Sequence, residues 1–255
     1  MKKWRTYIML LVFILTVRPA CAAITKQEAL SNFIAGNQAY KEGNYEKAIE
    51  SYQSIPKGSR ESGPVYYNLG NAYFKSGKLG YAVWSYEKAK RYFPRDSDLN
   101  FNAGYAESLI KKKNSQEKSK NFLETMIQNY INFYTIDEMV LFITIFTVLA
   151  VAFHLLSKFL KWKNLIRRGV RTLIVFLILI NIAGLFIKVS SQIDRAIVVQ
   201  ASNANFEPLE TATPHFELAE GMAVKIVTVK DDWVKVKRDD GLLGWVKQAK
   251  LERIE

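Results

Sequence analysis

Catalytic chemistry has few places to start in this 255-residue chain. The sole cysteine, Cys21, lies near the N-terminus, so neither an intrachain disulfide nor a cysteine-based metal site is available. Of the two histidines, His154 falls inside an apolar run, and His215 is expected alone in a loop. No carboxylate pair stands beside either. Hydrolysis and metal-assisted chemistry need an activated nucleophile, an acid–base pair or a ligand cluster. None is legible, so we expect no enzyme, no metal and no cofactor. Binding chemistry is better represented. Asn37, Lys41, Tyr67, Asn71, Phe74, Lys75 and Tyr105 recur around regularly spaced glycines, and Trp233 and Trp245 stand among lysines near the C-terminus.

The net charge of +12 raises nucleic acid as a partner, but the placement of the charge excludes it. Ten of the twelve charges sit in residues 1–22 and 157–171, two stretches without acids. A nucleic-acid binder carries its cations on a folded face. Cations beside apolar runs set membrane orientation instead.

Residues 1–22 have a basic start, the apolar run Tyr7–Val17 and small residues around Cys21, the pattern of a secretory signal cleaved after Ala22; an uncleaved anchor is the alternative. Met139–Leu156 and Thr172–Ile187 are two further apolar runs, predicting transmembrane helices over 139–157 and 172–188. The second run is short, and Lys188 is expected to snorkel to the interface. Between them, residues 158–171 form a basic loop, which the positive-inside rule places in the cytoplasm. Both flanking domains then face outward. His154, near the cytoplasmic end, is expected at the headgroups. Asn181, three residues before Gly184, is expected to support helix packing.

Gly36, Gly70 and Gly104 are spaced 34 residues apart. Around Gly70 the chain runs Tyr66, Leu69, Gly70, Tyr73, Ala82, Tyr86, Ala89, Pro94; around Gly36 it runs Phe33, Gly36, Tyr40, Ala48, Tyr52. This resembles the tetratricopeptide repeat (TPR) and covers residues 23–113. The resemblance implies stacked helix hairpins whose tight turns use Gly43 and Gly77, with the segment after Asp98 as a terminal cap. It also implies a concave groove for a protein partner, lined by Phe33, Asn37, Tyr40, Lys41, Tyr67, Asn71, Phe74, Lys75 and Tyr105. Residues 114–138 begin as a polar linker and end in an amphipathic helix, which either lies in the membrane interface or packs on the repeats.

Residues 196–255 switch to short β-type runs separated by Lys230-Asp231-Asp232 and Asp239-Asp240-Gly241. Glu220-Gly221, Trp233-Val234-Lys235-Val236 and Gly244-Trp245-Val246 resemble the bacterial SH3-like domain, implying a small barrel. That family often carries an Arg-Ser-Gly-Pro loop where this chain has Asn205-Phe206-Glu207-Pro208-Leu209. Trp233 and Trp245 are expected in the barrel core; stacking on a peptide or glycan is the alternative.

The expected architecture is multi-domain: an α-helical TPR solenoid, two transmembrane helices and a small all-β SH3-like barrel. This order resembles the Bat aerotolerance proteins of the BatE type. The resemblance implies a multi-pass protein of the bacterial inner membrane, partnered by von Willebrand A-type Bat proteins and a MoxR-type AAA+ ATPase. Peptidoglycan is a further candidate partner through the SH3-like domain.

Overall fold

A computed structural model describes residues 26–60, 62–111, 121–160 and 163–254. The signal segment, Cys21 and residues 112–120 of the linker lie outside the described residues.

The N-terminal part is a stack of helices: α1 (26–41), α2 (Tyr45–Gln53), the single turn α3 (Lys57–Arg60), α4 (Gly63–Lys75), α5 (Leu79–Lys90) and α6 (Ser97–Lys111). The same turn is used twice, one period apart. Gly43 and Gly77 both take a positive φ, +77° and +78°, which a side chain would resist. Helix contact at the glycines repeats as well. A Cβ on Gly36 would lie 2.5 Å from the Tyr52 ring, and one on Gly70 would lie 2.7 Å from the Tyr86 ring. Only glycine admits the aromatic there.

A polar network repeats with the same offset. Tyr52 Oη and Asn68 Nδ2 both donate to Asn37 Oδ1, at 2.7 and 2.8 Å. Tyr86 Oη and Asn102 Nδ2 both donate to Asn71 Oδ1, at 2.8 and 3.1 Å. Each asparagine ties its own hairpin to the next helix, so buried tyrosine hydroxyls find partners without water.

Three helices follow: α7 (Phe122–Phe133), α8 (Ile136–Phe159) and α9 (Asn164–Gln192). α8 and α9 are long and apolar enough to cross a membrane and pack on one another. At 24 residues, α8 extends about 36 Å. The expected loop over 158–171 is mostly helix: α8 runs to Phe159 and α9 starts at Asn164. Helix continues past the apolar runs because it satisfies the backbone whatever the side chains.

α7 packs on α9. Tyr130 Oη donates to Asn181 Oδ1 at 2.9 Å, and its ring lies against Gly184. Lys188 does not reach outward. Its ammonium is buried and donates to the carbonyls of Ile131 and Tyr134 at 2.7 and 2.6 Å, capping the C-terminus of α7. Arg95 connects the helical stack to this group by pairing with Glu138 and lying over the Phe133 ring.

The C-terminal part is an antiparallel sheet of β1 (Arg195–Val198), β2 (Ser202–Asn205), β3 (Pro214–Leu218), β4 (Ala223–Lys230), β5 (Trp233–Lys237), β6 (Leu243–Lys247) and β7 (Leu251–Arg253). The order is β3-β2-β6-β5-β4-β1-β7. Ala196, Ala204, Leu218, Val224, Val236, Val246 and their neighbours share one core, so the sheet curls around it. Among the described residues no ladder joins the end strands β3 and β7.

The sheet docks on α5. Ile197 and Ile254 belong to the core of the helical stack. A Cβ on Gly80 would lie 2.7 Å from Val199 Cα and 2.8 Å from the Val198 carbonyl oxygen, both backbone atoms that cannot give way. Gly80→Ala is therefore expected to push the sheet off α5 while leaving the packing of α2 on α4 intact. Hydrogen exchange on the full chain in detergent should rise across β1 and β7 and stay unchanged in α4. Unchanged exchange in β1 would show that the joint does not depend on this contact.

Candidate functional site

Three surfaces bring functional side chains together: the groove side of the helical stack, the outer face of the sheet, and the joint between them.

Of the predicted groove residues, Asn37 and Asn71 take part in the polar network between hairpins. Both are half-buried, and their side-chain oxygens are used by the inter-hairpin network. Tyr67 is also engaged: its hydroxyl accepts from Asn102 Nδ2 at 3.1 Å, and its ring is tilted against Tyr86. Burial pushes the Tyr52 phenol up to about 12 and raises that of Tyr86, so both remain donors to the asparagines at neutral pH. Lys41 and Lys75 are exposed, and Phe74 and Tyr105 touch at a centroid distance of 5.7 Å.

Trp233 and Trp245 are corrected from core to surface. In β5 and β6 the valines Val234, Val236 and Val246 face inward, as does Gly244. Period-two alternation then puts Trp233, Lys235, Trp245 and Lys247 on the outer face. Trp233 is paired across the ladder with Lys247, and Lys235 with Trp245. Each lysine ammonium lies over the partnered indole, at 5.9 and 5.8 Å to the centroid. The result is an aromatic–cationic patch, half-exposed and rigid. The signal was present in the sequence: Trp233 shares its parity with Lys235 and Lys237, which belong outside.

The joint was not legible. Lys78 stands at the N-cap of α5 and offers no acceptor. Glu220, in the turn before β4, supplies one: its Oε1 accepts from the Gly80 N–H at 2.7 Å. A carboxylate at the positive end of a helix is favourable, and here it comes from another domain. The β7 carbonyl of Arg253 accepts from Trp84 Nε1 at 2.8 Å, and that of Ile254 from Arg91 Nη1 at 2.6 Å. These donors blunt an exposed sheet edge. Lys88, 5% exposed, lies over the Tyr66 and Trp84 rings. Beside the joint is a cleft of about 960 Å³, with Tyr73, Tyr81 and Trp84 on one wall and Asp232, Lys247 and Glu252 on the other.

Glu87 anchors the charges at the joint, pairing with Lys90 at 2.9 Å and with Arg195 of β1 at 3.2 Å. Burial pushes its carboxyl up, but Lys90 and Arg195 outweigh burial and hold it below the usual carboxylate range. Burial likewise pulls the Lys90 ammonium down, and Glu87 with Glu107 outweighs that and raises it.

The two histidines lie on α8 and β3. His154 is exposed on α8 beside Arg171 of α9. His215 lies in β3, not in a loop; its Nδ1 is 3.0 Å from the Leu243 carbonyl oxygen and its ring stacks on Phe206. Among the described residues no group of three or more His, Cys, Asp or Glu is placed to hold a metal ion.

A family model described as the bacterial SH3 domain matches residues 202–252, which spans β2 to β7 and leaves out β1. No curated protein matches the chain. The C-terminal sheet thus matches the bacterial SH3-like type, and the helical part rests on its own geometry.

Two measurements probe these assignments. Trp233→Ala and Trp245→Ala should each cost about 1 kcal/mol or less, the scale of an exposed cation–π pair, against about 3–5 kcal/mol for a core tryptophan. Equilibrium unfolding followed at the sheet distinguishes the two. Because the Glu87 pKa is lowered in the folded state, its contribution is complete above the ordinary value of about 4.3 and is lost as pH falls through the lowered value. The stability gap between the natural chain and Glu87→Gln should therefore be full at neutral pH and close on acidification. A gap that widens in acid would contradict the assignment.

Proposed function

We propose that this chain is a non-enzymatic, membrane-anchored adaptor of the bacterial envelope. It holds a protein partner on its helical stack and carries an SH3-like domain fixed to that stack. The observation that carries the reading is the 34-residue repetition of the Gly–Tyr contact and the Tyr–Asn–Asn network. It supports a tetratricopeptide stack, an architecture that binds proteins on a continuous surface. The contact residues are Lys41, Phe74, Lys75 and Tyr105, which leave a basic and aromatic surface after the internal network is satisfied.

α8 and α9 form the anchor. The cations on either side of residue 163 support a cytoplasmic connection between them, with both folded domains on the other side of the inner membrane. Resemblance to the BatE-type proteins names the candidate partners as von Willebrand A-type Bat proteins and a MoxR-type AAA+ ATPase, in an aerotolerance or stress-response assembly.

A second reading is cell-wall attachment through the SH3-like domain. It is favoured by the outward indoles of Trp233 and Trp245, each beneath a lysine, a surface suited to sugar rings that bear carboxylates.

Reporter fusions at Lys120, Lys163 and Glu255 should read outside, inside and outside. Crosslinking in native membranes through residue 75 should capture one defined protein, and the double variant Lys41→Glu/Lys75→Glu should release it. Co-purification with no associated protein under crosslinking would sink the adaptor reading. For the second reading, full-length protein in detergent should sediment with purified sacculi, and Trp233→Ala/Trp245→Ala should abolish this. Equal sedimentation of both forms, or none of either, removes it.

A further inference from the structure

The repeat that organises the helical stack stops halfway through its third unit. In the first two units the glycine of the leading helix is covered by the tyrosine of its own second helix, Gly36 by Tyr52 and Gly70 by Tyr86. An aromatic three residues earlier completes the contact: Phe33 lies 6.0 Å from Tyr52, and Tyr67 lies 6.3 Å from Tyr86, ring centroid to centroid. In the third unit the leading helix is α6, with Phe101 and Gly104 at the same positions. Among the described residues, nothing lies within 4 Å of a Cβ built on Gly104. Phe101 is 73% exposed, and Tyr105 is 52% exposed although it touches Phe74.

A terminal helix that merely caps a stack carries a polar outer face. α6 does not. Its inner face is spent on α5 through Leu99, Ala103 and Ala106, while Phe101, Tyr105 and Leu109 form an outward apolar stripe at helical spacing. The following residues of the chain do not suit the position. Residues 112–120, Lys-Lys-Asn-Ser-Gln-Glu-Lys-Ser-Lys, contain no apolar side chain. The next helix, α7, is tied to α9 by Tyr130 and Lys188.

We propose that α6 is an open docking site for one amphipathic α-helix of a partner protein, which takes the place of the missing second helix. This rests on the adaptor reading and names the kind of partner. The two complete units specify the occupant, because the surface it meets continues the interface already formed between successive hairpins. It carries a small residue and, four positions on, an aromatic, as in Ala48/Tyr52 and Ala82/Tyr86. The aromatic covers Gly104 and packs beside Phe101. The helix lies antiparallel to α6, as the second helix of a hairpin does. Recognition is of the helix-in-groove kind. A second copy of this chain is a poorer occupant, since two α6 faces would bring aromatic to aromatic and leave both glycines bare.

The test uses full-length protein in detergent and a stapled helical peptide with the sequence of residues 79–90, the second helix of the complete unit. Fluorescence anisotropy should show saturable binding with one peptide per chain. Replacing the peptide's counterpart of Tyr86 by alanine should weaken binding about tenfold or more, about 1.4 kcal/mol. Gly104→Trp in the chain should do the same, and hydrogen exchange in α4 and α5 should stay unchanged, because a Cβ there has no described atom within 4 Å. Absence of saturable binding, or binding indifferent to both changes, overturns the proposal. So does a dimer in detergent that Phe101→Ser dissociates, which would make a second copy the occupant. If the peptide fails while the partner crosslinked through residue 75 persists, the α6 site falls and the adaptor reading stands.

Discussion

Helix α5 is held on three sides, and the arrangement of the folded domains depends on it. It packs on α4 and α6 within the stack and on β1 of the sheet. Gly80, Ala82, Val83, Ser85, Tyr86, Lys88 and Ala89 are buried, so little of it remains for solvent. A helix buried nearly all round shows no clean apolar stripe. Its N-terminus is capped by a carboxylate from the sheet, Glu220, and its side chains Trp84 and Arg91 close the sheet's edge. These contacts are reciprocal: each domain satisfies backbone groups that the other would leave exposed.

That joint turns two modules into one body. The Glu87–Arg195 pair and the passage of Ile197 and Ile254 into the helical core leave the sheet little freedom to swing. A ligand on the Trp233–Trp245 face and a partner on the helical stack would therefore be held at a fixed separation. At the other end, Arg95 bridges to Glu138 and Phe133, so the stack is also braced against the apolar helix pair.

Much of the helical part was legible because its signals are local. The positive φ of Gly43 and Gly77 and the glycine–tyrosine contacts repeat every 34 residues, and a residue type repeated at fixed spacing is visible in one dimension. The alternation of Val234 and Val236 with Trp233 and Lys235 was equally visible, and it placed both tryptophans outside once the lysines were given their due weight. The internal bonds of Asn37 and Asn71 were not legible, because a polar residue on a helix looks the same in sequence whether or not it already has Tyr and Asn donors. The partners lie 15 and 31 residues away.

By itself the sequence determined the hairpin repeat, the two long apolar helices, the strand-rich tail and the uneven placement of charge. Each follows from periodicity, from the length of an apolar run or from where the charges fall along the chain. Only the tertiary structure decided that Gly80 is needed for the backbone of Val199, that Glu220 caps a helix 140 residues earlier, that Lys188 caps α7 instead of reaching for water, and that Gly104 lies bare among the described residues where its two counterparts are covered. Those facts depend on which surfaces meet, and contacts between residues far apart in the chain leave no periodic trace along it.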